Sequence, residues 1–158
     1  MPYDGINFKE GDPTPKGTPE ELVKSAQKMY HELSSDTGAF FDILVNEELM
    51  DLVNRDGKRP GGFCTSFPKY ERPYIFSNFN GTDHDITVLT HEAGHAFQNY
   101  CSRHQPLVNY HWPTMESAEI HSMSMEFFTW PWMKNFFKED TNRFKYKHIS
   151  GSLSFLPY

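Results

Sequence analysis

The stretch Thr90-His91-Glu92-Ala93-Gly94-His95-Ala96 constrains this chain more than any other. On a helix with about 3.6 residues per turn, His91 and His95 stand one above the other, so both imidazoles can reach one metal ion. Glu92 is rotated about 100° from His91 and can reach a water bound to that ion. Two neutral imidazoles suit zinc, which lowers the pKa of its water toward about 7. A carboxylate beside that water can take its proton and pass it to a leaving group. The other side of the same helix carries Ile86, Leu89, Ala93, Phe97 and Tyr100, a core face. The competing reading is a pair of surface histidines on an ordinary amphipathic helix. A third-histidine site would need Gly and His three and six residues after His95. Gln98 and Cys101 stand there, so a third protein ligand must come from elsewhere.

A chain of 158 residues can form one domain with a real core, and fourteen Phe with 16% aromatic residues supply the apolar material. The net charge of -6 argues against a nucleic-acid partner. Met1-Pro2-Tyr3-Asp4 opens no signal segment, and no run approaches the roughly twenty apolar residues of a membrane span. Cys64 and Cys101 are too few for a disulfide framework and lack zinc-pair spacing, which points to thiols in a reducing, cytoplasmic setting.

Residues 1–17, rich in Gly, Pro, Asp and Lys, read as an irregular opening segment. Thr18-Pro19-Glu20-Glu21 has the form of a helix start, and Leu22, Ala26, Met29, Tyr30 and Leu33 follow at helical spacing. A second helix is expected from Ser35-Asp36, carrying Phe40, Ile43, Leu44 and Leu49 to about Val53. After a Gly-rich loop, Phe63 to Phe67 and Pro73 to Phe79 read as strands, dense in aromatic and β-branched residues. An edge strand beside a metal site could add an extended peptide through main-chain hydrogen bonds, and Gly61-Gly62 would let another backbone approach. The alternative is a plain hairpin that scaffolds the helices. Thr82 or Asp83 is expected to cap the central helix, with His84 solvated at its start.

Ser102 to Pro113 reads as a connecting loop holding His104 and His111, which could touch substrate but more simply serve as polar surface. Thr114 then caps a helix over Met115 to Phe128 with apolar or small residues on most faces, which predicts a buried helix. It carries Glu119 and Glu126 on one face, two turns apart, and a buried carboxylate needs a partner or a metal. Glu119 as a metal ligand, with Glu126 accepting from a ligand histidine's other N–H, would satisfy both. Glu116, one turn before Glu119, is the competing ligand.

Three segments together resemble a known family: Phe76-Ser77-Asn78-Phe79-Asn80-Gly81-Thr82, Leu89 to Phe97, and Glu116-Ser117-Ala118-Glu119-Ile120. They look like the oligoendopeptidase F and thimet oligopeptidase family, zinc-dependent and mostly helical intracellular peptidases that cut short peptides inside a deep channel. The resemblance implies His91, His95 and Glu119 as ligands of one Zn2+ and Glu92 as general base. It selects Glu119 over Glu116, because the family's A-E-I segment with its later glutamate maps onto Ala118-Glu119-Ile120 and Glu126. It also places Gly61-Gly62-Phe63-Cys64-Thr65 on the strand beside the cleft. The similarity runs from about Gly57 to the C-terminus and is weaker before it.

The fold expected is mainly α with a small β-sheet (α+β), a truncated zincin-like metallopeptidase catalytic core over 1–158. Within it, 1–17 is the opening segment, 18–56 packing helices, 57–82 the sheet and 83–158 the zinc-site helices. The expected activity is a metalloendopeptidase hydrolysing oligopeptides through a zinc-bound water. Family members are several times longer, and the residues that stabilise the oxyanion there follow the point where this chain stops. The alternative is therefore a zinc-binding module or subunit with little activity alone. Tyr100, Tyr110, His111 and His121 are the nearest substitutes as oxyanion donors. Apolar patches around Phe136, Phe137, Leu153 and Leu156 are expected to favour self-association or a complementary chain.

Overall fold

A computed structural model describes residues 8–155. Residues 8–17 form no helix or strand, and they are held where the Lys16 N–H donates to the Phe136 carbonyl at 2.8 Å. The first helix, α1 (Pro19–Leu33), begins with the capping box its sequence calls for. Thr18 Oγ1 accepts from the Glu21 N–H at 3.4 Å, and Glu21 Oε2 accepts from the Thr18 N–H at 2.8 Å. Two amide groups that a helix start leaves unpaired are thereby satisfied. Ser34 ends α1 and caps α2 (Ser35–Asn46), its Oγ accepting from the Thr37 N–H at 3.1 Å. The helices join through Leu22, Ala26, Met29 and Tyr30 on one and Phe40, Phe41 and Leu44 on the other, with Tyr30 stacked on Phe41 at 4.7 Å.

The second helix does not continue to Val53. It stops at Asn46, Glu48 takes a left-handed φ of 54°, and Met50–Val53 forms a strand, β1. A short apolar run carries no period of its own, and its partner lies far along the chain. That partner is β3 (Arg72–Phe79), parallel to β1 with Met50 opposite Ile75 and Asp51 opposite Phe76. β2 (Phe63–Phe67) pairs antiparallel to β3, so the sheet order is β1-β3-β2 and β2 ends the sheet. The sheet therefore takes a strand from the stretch assigned to packing helices. β3 alternates half-buried and buried residues, Pro73, Ile75, Ser77 and Phe79 being the buried set.

The central helix α3 (His84–Ser102) packs against β3 and β2 on one side and against α4 (Met115–Phe128) on another. Neither Thr82 nor Asp83 caps it with a side-chain bond to its N–H groups. Asp85, buried in the first turn, instead accepts from the Asn80 and Gly81 N–H groups at 3.1 and 2.8 Å. This ties the end of β3 to the start of α3. His84 is exposed, while Ile86, Leu89, Ala93 and Ala96 are buried and Phe97 and Tyr100 half-buried against them.

The expectation of a buried α4 is corrected. Its buried residues are Ser122, Met125 and Glu126, whereas Met115, Ile120 and Phe128 are 87%, 63% and 60% exposed. Thr114 holds the cap position without bonding a helix N–H. Composition shows that the faces of α4 are apolar, but what covers them is a tertiary matter. The expectation for Phe136 and Phe137 is also corrected: both, on the short α5 (Lys134–Phe137), are fully buried, and Phe137 stacks on Phe144 at 4.1 Å. Phe144 belongs to α6 (Thr141–Phe155), which is pinned to the head of α3 where Lys147 meets Asp83 at 2.9 Å. Leu153 is 67% exposed, and Leu156 lies outside the described residues. Among the described residues, no helix is long and apolar enough to cross a membrane.

Candidate metal centre

His91 and His95 lie on α3 with ring centroids 4.9 Å apart and planes at 82°. Their Nε2 atoms face one carboxylate oxygen, Glu119 Oε2 on α4, at 3.1 and 3.6 Å respectively. One ligand atom from each of the three residues falls within 4.8 Å of the others, a grouping able to hold a metal ion. Glu116 is exposed and stands outside it. Two imidazoles with one carboxylate form the nitrogen and oxygen donor set that zinc takes in sites with an open position. The residues present fit such an ion.

The identity of residue 94 decides whether α4 can come close enough. A Cβ on Gly94 would lie 2.6 Å from Ser122 Cα and 2.7 Å from the His121 carbonyl oxygen, inside any real contact distance. With no Cβ at Gly94, the two backbones meet, and Glu119 one turn earlier on α4 reaches the histidines. Ser122, fully buried at that crossing, donates from Oγ to Glu119 Oε2 at 2.7 Å. The carboxylate is therefore aimed although its side chain is 56% exposed.

Behind His91 runs a chain of buried groups. Its Nδ1 meets Glu126 Oε1 at 2.6 Å, and His148 Nε2, from α6, meets Glu126 Oε2 at 2.5 Å. The Trp130 indole N–H donates to His148 Nδ1 at 3.2 Å. Burial pushes the Glu126 carboxyl up, but the hydrogen bonds and charges of His148 and His91 overcome it and hold the group below its ordinary value. Burial likewise presses on His91 toward the neutral form, and the bond and charge of Glu126, with Glu92 and Glu119, leave its pKa raised. His95 is lowered, by burial first and then by the neighbouring His91, against the pull of Glu119.

Glu92 is 7% exposed on the sheet side of α3. Burial raises its pKa, Glu119 adds to the rise, and His91 opposes it. A carboxylate poised upward is better matched to accepting a proton near neutral pH. The start of β2 lies against it: a Cβ on Gly62 would stand 2.9 Å from Val88 Cγ1 and 3.7 Å from Glu92 Oε1. Cys64 is half-buried nearby, its thiol pushed up by burial and by the Glu92 charge.

The remaining candidates stand apart from the three-residue grouping. His104 is exposed and pairs with Glu71 at 3.6 Å, and the buried His111 uses Nε2 on the Gln105 carbonyl at 3.1 Å. Tyr100 packs between Phe40 and the Arg103 guanidinium, and Tyr110 is 62% exposed. His121 bears on the site through its charge, which disfavours protonation of His95. Sequence reasoning missed Ser122, Trp130 and His148. A buried aromatic neighbourhood around a histidine was the only local sign of His148, with Phe144 one turn before it.

The chain is 33% identical over 131 residues to an oligoendopeptidase F homolog of Borreliella burgdorferi (strain ATCC 35210 / DSM 4680 / CIP 102532 / B31), covering 80% of this chain and 21% of that one. PZ peptidase A, solved with an inhibitor, superposes with a TM-score of 0.93 at 58% identity, covering 96% of this chain and 27% of the other. A Bacillus anthracis str. Ames structure assigned to oligoendopeptidase F gives a TM-score of 0.93 at 56% identity, covering 96% and 28%. The chain thus spans about a fifth to a quarter of the length of these relatives. Its mainly helical fold with a small sheet is a zincin-like catalytic core. Residues 5–151 match peptidase family M3, and the chain belongs to that family.

Proposed function

We propose that this chain is the zinc-binding catalytic core of a metalloendopeptidase that hydrolyses peptide bonds in short, unstructured peptides. The observation that carries the reading is the convergence of His91, His95 and Glu119 beside a buried Glu92 whose carboxyl is raised by burial. His91, His95 and Glu119 hold one Zn2+. Zinc at such a site supplies an activated water and polarises a carbonyl. Glu92 accepts one proton of the attacking water as its oxygen bonds to the carbonyl carbon, and gives that proton to the amide nitrogen as the C–N bond breaks, releasing a carboxylic acid and an amine. The peptide lies along β2, whose outer edge pairs with no strand among the described residues and can take an extended chain by main-chain hydrogen bonds. Trp112, whose indole N–H donates to Ser66 Oγ at 3.1 Å, steadies that strand. The two free thiols suit a reducing compartment, and we place the protein in the cytoplasm.

The test is a quenched fluorescent peptide, cleaved by the zinc-loaded parent and by Glu92→Gln, with a chelator-treated control. Glu92→Gln is expected to keep its zinc and lose about 10²–10⁴-fold in rate, since an amide cannot take the proton. Activity within about threefold of the parent would remove Glu92 from the mechanism.

A further inference from the structure

Trp130 and His148 lie outside everything the proposed reaction needs directly, yet they are joined to it by an unbroken run of hydrogen bonds. An indole N–H can only donate, so His148 Nδ1, 3.2 Å from Trp130 Nε1, must be the accepting nitrogen. A neutral imidazole then carries its proton on Nε2, which points at Glu126 Oε2 at 2.5 Å. An ionised carboxylate has no proton to give, so the other oxygen of Glu126 accepts from His91 Nδ1 at 2.6 Å. In the neutral ring this leaves the His91 Nε2 lone pair free, facing Glu119 Oε2 and the position between the ligands.

We propose that His148, oriented by Trp130, is a positioning residue that turns the Glu126 carboxylate so that His91 presents an unprotonated Nε2 to the metal. The inference rests on the reading of His91 as a zinc ligand. The surroundings suit a fixed rather than a mobile imidazole. The His148 side chain is 7% exposed and that of Glu126 is 8% exposed. The rings of Phe127, Trp130 and Phe144 surround His148 at 5.0, 5.6 and 5.8 Å. Outer partners of this kind orient a ligand and keep it basic.

The test uses the whole chain and has two arms. In the first, long-range proton–nitrogen NMR of the metal-free protein, above the pH range of imidazole titration, reads the proton positions in both histidines. His148 is expected as the Nε2–H form and His91 as the Nδ1–H form; His91 found with its proton on Nε2 overturns the proposal. In the second, zinc affinity is measured by competition with a chelator. His148→Leu is expected to weaken binding about tenfold, the low end for outer partners, while His148→Gln, whose amide can still donate to Glu126, stays within about threefold of the parent. If His148→Leu folds and binds as the parent does, or if His148→Gln loses as much as His148→Leu, the positioning role is wrong. If His148→Leu does not fold, the NMR arm decides alone. A parent that binds no zinc would instead overturn the ligand reading, and the proposal with it.

Discussion

Glu116 and Glu119 stand one turn apart on α4, and only the second stands with the two histidines. Ser122 Oγ donates to it at 2.7 Å and two imidazole nitrogens lie within 3.6 Å, whereas Glu116 is exposed. Removing a ligand leaves two donors, too few to hold the ion against water. Glu119→Ala and His95→Ala are therefore each expected to lose the zinc, counted by metal analysis after dialysis, while Glu116→Ala keeps about one per chain. Full zinc in Glu119→Ala with loss in Glu116→Ala would show that the wrong glutamate had been chosen. Glu126 acts at one remove. Glu126→Ala is expected to weaken zinc binding by about 10–100-fold without abolishing it, because His91 keeps its place on α3 but loses its fixed orientation.

Between elements, the decisive contact is the crossing of α3 and α4 at Gly94. The same spacing of two histidines would be useless if α4 stood a methyl group further away, since Glu119 would then miss them. Gly94→Ala puts a Cβ where Ser122 Cα lies 2.6 Å off, and the helices must part. The expected cost is about 1–3 kcal/mol in chemical unfolding of the metal-free chain, the range for overpacking a close contact. Zinc affinity should fall as well, and an unchanged affinity in a destabilised variant would mean that α4 can shift without moving Glu119. The start of β2 makes a second crossing with α3 at Gly62, where the close neighbours are Val88 and Glu92. Gly94 serves an approach between two backbones, whereas Gly62 leaves room for the Val88 and Glu92 side chains.

At the scale of the molecule, the edge strand β1 is tied by charge to the segment that follows it. Asp51 on β1 takes Arg55 at 2.7 Å and the nearly fully buried Lys58 at 2.9 Å, and these partners, Arg55 first, hold its carboxyl well below the ordinary range. A folded-state pKa below the unfolded value gives stability above about pH 3.9 that is lost as the pH falls below it. Asp51→Asn is expected to lower the melting temperature at pH 7, with the gap to the parent closing below about pH 4. A constant gap across that range would show that the carboxylate's charge is not what holds β1. The outer faces of α4 set a second property. Met115, Ile120 and Phe128 are largely exposed, and exposed apolar surface favours association. Sedimentation should show a concentration-dependent average mass that Phe128→Lys reduces; a monomer at all concentrations would count against it.

What the sequence determined by itself was local or periodic. The box at Thr18 to Glu21, the strands near 63–67 and 73–79 and the stacking of His91 over His95 all follow from neighbours a few residues apart. Such features are legible because one helical turn or one strand pleat fixes them. The tertiary structure decided the rest. β1 is a strand because β3 lies beside it, and its four residues alone could have continued a helix. Glu119 reaches the histidines because Gly94 admits α4, and the side of α4 with Met115, Ile120 and Phe128 is exposed because nothing among the described residues covers it. His148 joins Glu126 from another helix, a pairing that no spacing along the chain could encode. Partners brought together by packing leave no period in the sequence, so only the folded chain reveals them.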